Sequence, residues 1–431
     1  MTLPAAPASA QRQKKTDKLL LTNLDRHIHF LFDEKREGRR TGTPGEKVAG
    51  DYIASAFSNA GLQPKGDKNG WLQAFDIDQG RVVSGDAFLI INDHPLLLNK
   101  EYFPLAFSAV GTVSGSPAMA LQESGVPWFF DLRDLLESDA GGAHVDLSRA
   151  IRERASAFAK KGATALLVYN SSKTPDNLAF DANDRSEPAA IPILYITAAA
   201  KRKYLRDESA SVDIRIRTGF SEKKFTGHNV VGYIDNGAAS TVVIGAQYDW
   251  SAAADSAGSP DTAGADNAGG VAAMIELARL LAVSKLKNNN YLFVAFSGGE
   301  QGSAGSAFMA AHLPVDPQRL NYMLDLDRLY PVHAATRRLV IGGYGSSPAW
   351  WGACREARDK PGFPVQLDSS YSRPGDQATF YSRGIPALVF YIGPDKTDRN
   401  LELATVKYVF DIVKAVDNRG RLAFARSAAG S

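Results

Sequence analysis

The chain has 431 residues, 44% of them hydrophobic and 22% charged, and 49 basic residues against 47 acidic ones leave a net charge of +2. That length has room for two domains with a substantial core, and the composition excludes a disordered chain. No long basic block points to nucleic acid or an anionic membrane surface, no apolar run reaches the ~20 residues of a membrane span, and the single cysteine, Cys354, excludes an internal disulfide.

Residues 1–15, MTLPAAPASAQRQKK, read as a disordered tail or the remnant of a signal peptide. Ala8-Ser9-Ala10 before Gln11 has the small-x-small form of a signal-peptidase site, which predicts an exported protein, periplasmic or extracellular. From Thr16 to about Lys35, Leu19, Leu20, Leu24, His27, Phe30 and Leu31 recur at helical spacing, with Thr16 and Asp17 as candidate caps. The loop REGRRTGTPGE and a second helix ending at Gly61 follow, then strands in WLQAFDI and DAFLIIND. Composition changes near 102–104: short strands and loops surround one helix at 147–161, so 105–226 reads as a β-rich lobe inserted into a domain made of 16–104 and 227–431.

The stretch 241–306 organises the rest. Short apolar runs at 242–246 and 291–296 bracket an amphipathic run, giving strand, helix, strand. Acidic residues gather at the ends: Asp249 follows the first strand, Asp266 opens the helix and Glu300 follows the second strand, where a parallel sheet places its ligand crevice. The alternation continues through NYMLDLD, RRLVIGG, a helix from Ser347, IPALVFYIG and a closing helix over 401–415. The fold class that follows is α/β, a mixed and mostly parallel sheet with helices on both faces.

The order RTGTPGE, HNVVGYI, GAQYD, GADNAGGVAAMIELAR, FSGGEQGSAGS, MLDLD and GDQATFYSRGIPAL resembles metallopeptidase family twenty-eight, the zinc exopeptidases that include aminopeptidase Y and bacterial leucyl aminopeptidases. The resemblance covers most of the chain, implies a protease-associated-type identity for the inserted lobe, and implies two zinc ions above the sheet. In that family imidazoles and carboxylates hold the metals, which acidify a bridging water, and a free Glu takes its proton. Carried over by position, Asp266, Glu300 and Asp327 match metal-binding carboxylates, with Asp249 and Asp376 kept beside them. Gln247 stands where the resemblance implies a His ligand, Gly299 where it implies the general base, Lys396 near a second His position, Gln377 for a further His and Arg328 for a Met.

Each replacement bears on a separate step. An amide oxygen is a poor zinc ligand, a lysine brings a cation where one was held, and a glycine cannot accept a proton, a role worth about 10²–10⁴-fold in rate. The remaining carboxylates repel one another unless an oxygen-bound Ca²⁺ or Mg²⁺, a built-in cation such as Arg328 or Lys396, or a retained proton offsets them, and the built-in cations are the favoured solution. Bland roles stand beside these: Asp266 as a helix cap and Glu300 as an acidic residue at the start of a helix at Gln301. The reading that follows is a peptidase-like protein with no metal cofactor, kept to bind a peptide or small amine through Asp249, Glu300 and Asp376 with Tyr248, Trp250 and Tyr371, or a protein partner through the inserted lobe. Its alternatives are an active exported metallo-aminopeptidase with an altered divalent-cation site, and a hydrolase using Ser297, Ser303 or Ser306.

Overall fold

The computed structural model describes residues 8–33, 39–137, 146–250, 267–329, 339–358, 365–368, 375–392 and 399–426. The chain divides into two compact units, one made of 1–77 with 226–431 and the other of 78–225. The smaller unit therefore begins at Asp78 and not at 105. Alternation in DAFLIIND marks a strand without saying which sheet it joins; Phe88–Ile91 pairs antiparallel with Ile214–Thr218, deep in the smaller unit.

Within that unit Phe88–Ile91 and Ile214–Thr218 form a four-stranded sheet with His94–Pro95 and Gly111–Gly115. A second sheet joins Tyr102–Pro104, Ile193–Ile196, Leu166–Tyr169 and Trp128–Asp131, the last three running parallel. Helix Leu147–Lys160 connects two of these parallel strands, capped by the Asp146 carboxylate accepting from Arg149 N.

The larger unit is built on one nine-stranded sheet: β1 (Gln63–Pro64), β2 (Leu72–Val83), β3 (Phe220–Ile234), β4 (Ser240–Gln247), β5 (Asn289–Phe296), β6 (Leu320–Leu326), β7 (Leu339–Gly342), β8 (Val365–Asp368) and β9 (Ala387–Ile392). The order is β1-β3-β5-β4-β6-β9-β7-β8, with β2 also paired to β3. The central strands β5, β4, β6 and β9 are parallel to one another, while β3 and β7 join them antiparallel. Both faces are covered, so β4, β5 and β6 are buried almost throughout and carry unbroken apolar runs.

On one face Val242, Ile244, Ala246, Tyr291, Phe293 and Ala295 share a core with α1 (Ala8–Phe32), α2 (Pro44–Asn59), α3 (Ala268–Ala282), α5 (Ala349–Arg358) and α7 (Arg399–Val416). On the other, the alternate residues Val243, Leu292, Val294 and Phe296 pack with Met309 of α4 (Ala304–Ala311) and Phe380 of α6 (Asp376–Tyr381). Helix α1 starts at Ala8, so Ala8–Ala10 lie in its first turn, the span to residue 15 is helical from Ala8 onward, and Thr16 and Asp17 are interior residues and not caps. No helix among the described residues is long and apolar enough to cross a membrane.

Candidate functional site

Three parallel strands end together at the site. Register places Gln247 of β4 beside Phe296 of β5, and Gly245 beside Asp325 of β6, so the residues that follow each strand emerge on one edge. Asn267 ties these ends: its amide donates to the carbonyls of Gln247 (3.0 Å) and Leu326 (2.9 Å), and its Oδ1 accepts from Arg328 N (2.7 Å). Asn267 is also the residue that precedes α3, yet its side chain makes no cap hydrogen bond. Gly270 lets the helix approach, because a Cβ there would stand 2.2 Å from the Leu326 carbonyl oxygen.

The turn after β5 is fixed from beneath. Asp249, 2% exposed, accepts from Gly299 N (3.0 Å) and from the Thr41 hydroxyl (2.9 Å). Thr41 Oγ1 in turn accepts from Gly298 N and the Ser297 hydroxyl. Ser297 also reaches Glu46, a buried carboxylate that further accepts from the backbone N–H groups of Gly42 and His228. Burial pushes the Asp249 carboxyl up to about 6; the bonds from Gly299 and Thr41 oppose this and the charges of Glu300 and Glu46 add to it. Thr41 and Glu46 were not among the residues singled out from sequence. The signal was present in Thr43-x-x-Glu46, a capping-box spacing in which Thr43 accepts from Glu46 N while the Glu46 carboxylate reaches Gly42 N and the strand residue His228.

Gln247 and Gly299 occupy one volume. The Gln247 amide donates to the Asp249 carbonyl (3.1 Å) and lies where a residue-299 side chain would begin: a Cβ on Gly299 would stand 2.0 Å from Gln247 Cδ. The position that the resemblance reserves for a general base is thus filled by the amide of the position it reserves for a ligand.

The other carboxylates are placed unevenly. Asp376, at the start of α6, is buried, and burial raises its carboxyl to about 7; a bond from Ser306 pulls the other way, while the charges of Asp249 and Asp327 add to the rise. Its Oδ1 has no hydrogen-bond partner among the described residues. Asp327 is half-buried beyond the end of β6, and Arg328 Nε lies 3.9 Å from its Oδ1 with a side chain 46% exposed, an arrangement worth little as a counter-charge. Arg328 itself has φ +46°, in the left-handed region. Glu300 is exposed in a turn, and α4 begins only at Ala304, so Glu300 opens no helix at Gln301. Gln377 is buried, its N–H donating to Asp325 (3.2 Å). Tyr248 is buried and its hydroxyl donates to the His228 carbonyl, which removes it from any pocket wall; Trp250 is half-buried. Ser297 and Ser306 are buried within this framework. Asp266, Lys396 and Tyr371 lie outside the described residues.

Of the positions that the resemblance assigns to the zinc pair, Gln247 brings an amide, and Asp266 and Lys396 lie outside the described residues. Among the described residues no three His, Cys, Asp or Glu side chains stand together in a way that could hold one ion, and the amide at Gln247 is engaged with backbone. Burial and the neighbouring charges both favour the neutral acid at Asp249 and Asp376, and Lys396, one of the two cations expected to offset the carboxylates, lies outside the described residues.

Residues 229–410 match the model of Peptidase family M28. No curated protein matches the chain. Among solved structures, an aminopeptidase from Aneurinibacillus sp. strain AM-1 is similar at 21% identity with a TM-score of 0.50, covering 95% of this chain and 96% of that one. BSAP, a zinc aminopeptidase from Bacillus subtilis, aligns at 18% identity and a TM-score of 0.49 over 91% of this chain and 94% of that one. A peptidase M28 precursor from Shewanella amazonensis SB2B aligns at 16% and 0.44, over 97% and 100%. With its parallel sheet and its site at the carboxyl ends of β4, β5 and β6, this chain has an aminopeptidase-like fold, and its residues 229–410 match peptidase family M28.

Proposed function

We propose that this protein is an exported member of the family that no longer hydrolyses peptides through zinc and uses its cleft to bind a peptide or small amine. One observation carries the reading: residue 299 has no side chain, and the Gln247 amide fills the space in which one would stand. A site without a positioned base forgoes about 10²–10⁴-fold in rate, and an amide in place of an imidazole weakens zinc. The acids near the strand ends, Asp249, Glu300, Asp327 and Asp376, give the cleft a negative character that suits an ammonium group, whose charge would draw a proton off the acids raised by burial.

A second reading is an active metallo-aminopeptidase that holds a divalent cation through oxygen. It is favoured by the charges of Asp249 and Asp327, which add to the rise of the Asp376 carboxyl. Turnover of aminoacyl chromogenic substrates with added Zn²⁺, Co²⁺ or Mn²⁺ separates the two. Metal-dependent hydrolysis that disappears in Glu300→Ala establishes the second reading; calorimetric binding of a dipeptide amide with no turnover under any metal establishes the first. Fractionation of the producing cells tests export.

A further inference from the structure

A second site lies away from the strand ends, among α1, α2 and α3. A cavity of about 380 Å³, within the size range of small-molecule pockets, opens there. Its floor is a hydrogen-bonded series that the strand-end site does not use. The Tyr52 hydroxyl lies 2.7 Å from His27 Nδ1, and His27 Nε2 lies 3.6 Å from Glu276 Oε1. His27 and Glu276 are 3% and 1% exposed, so both are held by the fold and not by water. Glu276 also accepts from Asn23 (3.1 Å) and from Nε and Nη2 of Arg279 (2.9 and 2.8 Å). Burial alone would push the Glu276 carboxyl up, but the bonds from His27, Arg279 and Asn23 with the Arg279 charge outweigh it and hold it below the ordinary value.

The charges of this pocket do not balance. Glu276 is matched by Arg279, and that leaves Arg26, an exposed guanidinium beside the Tyr52 hydroxyl, with no carboxylate partner among the described residues. The rest of the lining includes apolar groups. Phe30 stacks on Tyr52 with ring centroids 3.7 Å apart and planes 11° from parallel, and Ala56 and Ile275 also line the cavity. One surplus positive charge next to a flat aromatic and aliphatic wall defines the ligand.

We propose that this pocket binds a small organic monocarboxylate with an aromatic or branched aliphatic body, its carboxylate paired with Arg26 and its body laid against Phe30, Ala56 and Ile275. A guanidinium takes a carboxylate through two parallel hydrogen bonds. A dianion such as a phosphate monoester would leave one negative charge unmatched beside the buried Glu276, and a neutral molecule would leave Arg26 unused.

The probe is 3-phenylpropionate, titrated into the full chain by calorimetry, with 3-phenylpropan-1-ol and phenyl phosphate as the neutral and dianionic counterparts. The expected Kd for the acid is about 1 mM or tighter, with both counterparts at least ~10-fold weaker. Arg26→Gln removes the charge and Ser55→Phe, on the exposed rim, fills the mouth. Each is expected to weaken the acid by at least ~10-fold while thermal melting stays at the wild-type position. No binding of the acid, equal binding of the alcohol, preference for the phosphate, or an affinity unchanged in Arg26→Gln overturns the proposal. So does loss of binding in Asp376→Asn, which would put the acid at the strand ends.

Discussion

Asp376→Asn replaces a buried acid with a neutral isostere and tests how the site tolerates its crowded carboxylates. The Asp376 carboxyl rises from 3.8 to about 7 on folding. Between those values the folded chain holds a proton that the unfolded chain has released, so stability is greatest in acid, falls as pH rises through the window, and is level above it. About three pKa units correspond to a cost on the order of 4 kcal/mol near pH 8. Asn carries no charge and avoids this cost, and its amide must find a partner where Oδ1 now has none among the described residues, a penalty of about 1–3 kcal/mol at every pH. The variant is thus expected to be less stable than wild type near about pH 4 and to gain on it by a few kcal/mol near about pH 8. Urea unfolding followed by circular dichroism at both pH values, with EDTA present, measures the two differences. An identical difference at both pH values refutes the reasoning. So does wild-type protein that EDTA destabilises near neutral pH, because a resident cation would then be supplying the charge balance here assigned to a retained proton.

Gly299→Ala places a Cβ against Gln247, expels its amide and breaks its bond to the Asp249 carbonyl, an expected loss of about 1 kcal/mol in urea midpoint stability. In a Gln247→Ala background the same change should cost almost nothing, a coupling of about 1 kcal/mol that additive costs would contradict. Gly270→Ala meets the Leu326 carbonyl at 2.2 Å, backbone that cannot swing aside, and should lower stability by about 1–3 kcal/mol; a wild-type melting curve would show that α3 sits farther from β6. Glu276→Gln leaves Arg279 without its carboxylate and should destabilise by about 1–3 kcal/mol near neutral pH. Because the Glu276 carboxyl is held low, that gap should shrink as acid protonates the wild type, and a gap that widens as pH falls would oppose the assignment.

The strand-helix-strand at 241–306 was legible because both faces of the central strands are covered, which turns β4 and β5 into short unbroken apolar runs, and because α3 needs a start next to the strand ends. The smaller unit's edge was not: Phe88–Ile91 alternates in the same way whichever sheet it joins, and only pairing with Ile214–Thr218 assigns it. The early helix was read late because MTLPAAPASAQRQKK lacks apolar periodicity, yet Ala is the strongest helix former and carries α1 back to Ala8. Among site residues, Asp249 and Asp376 were visible as acids near motif positions, but their burial was not, since it depends on contacts distant in the chain such as that of Thr41 with Asp249. His27, Tyr52 and Glu276 are far apart in the chain and lie on three helices, so nothing in the spacing of the histidines pointed to their contact.

Gln247 and Gly299 look independent along the chain, one change in a strand and one in a turn. In space they are a single packing unit, because the amide of the first needs the absence of a side chain at the second. A glutamate at 299 without a change at 247 would displace that amide from its bond to Asp249, and a histidine at 247 without a change at 299 would restore a metal-binding group beside an absent base. Neither single reversal yields both parts of the chemistry, and the first lowers stability in obtaining one. The carboxylates face no such coupling: Asp249 is held by Thr41 and Gly299 N whatever stands at 247, and it fixes the turn after β5 through those bonds. Asp249 therefore has a structural role in this turn that is independent of any part in chemistry.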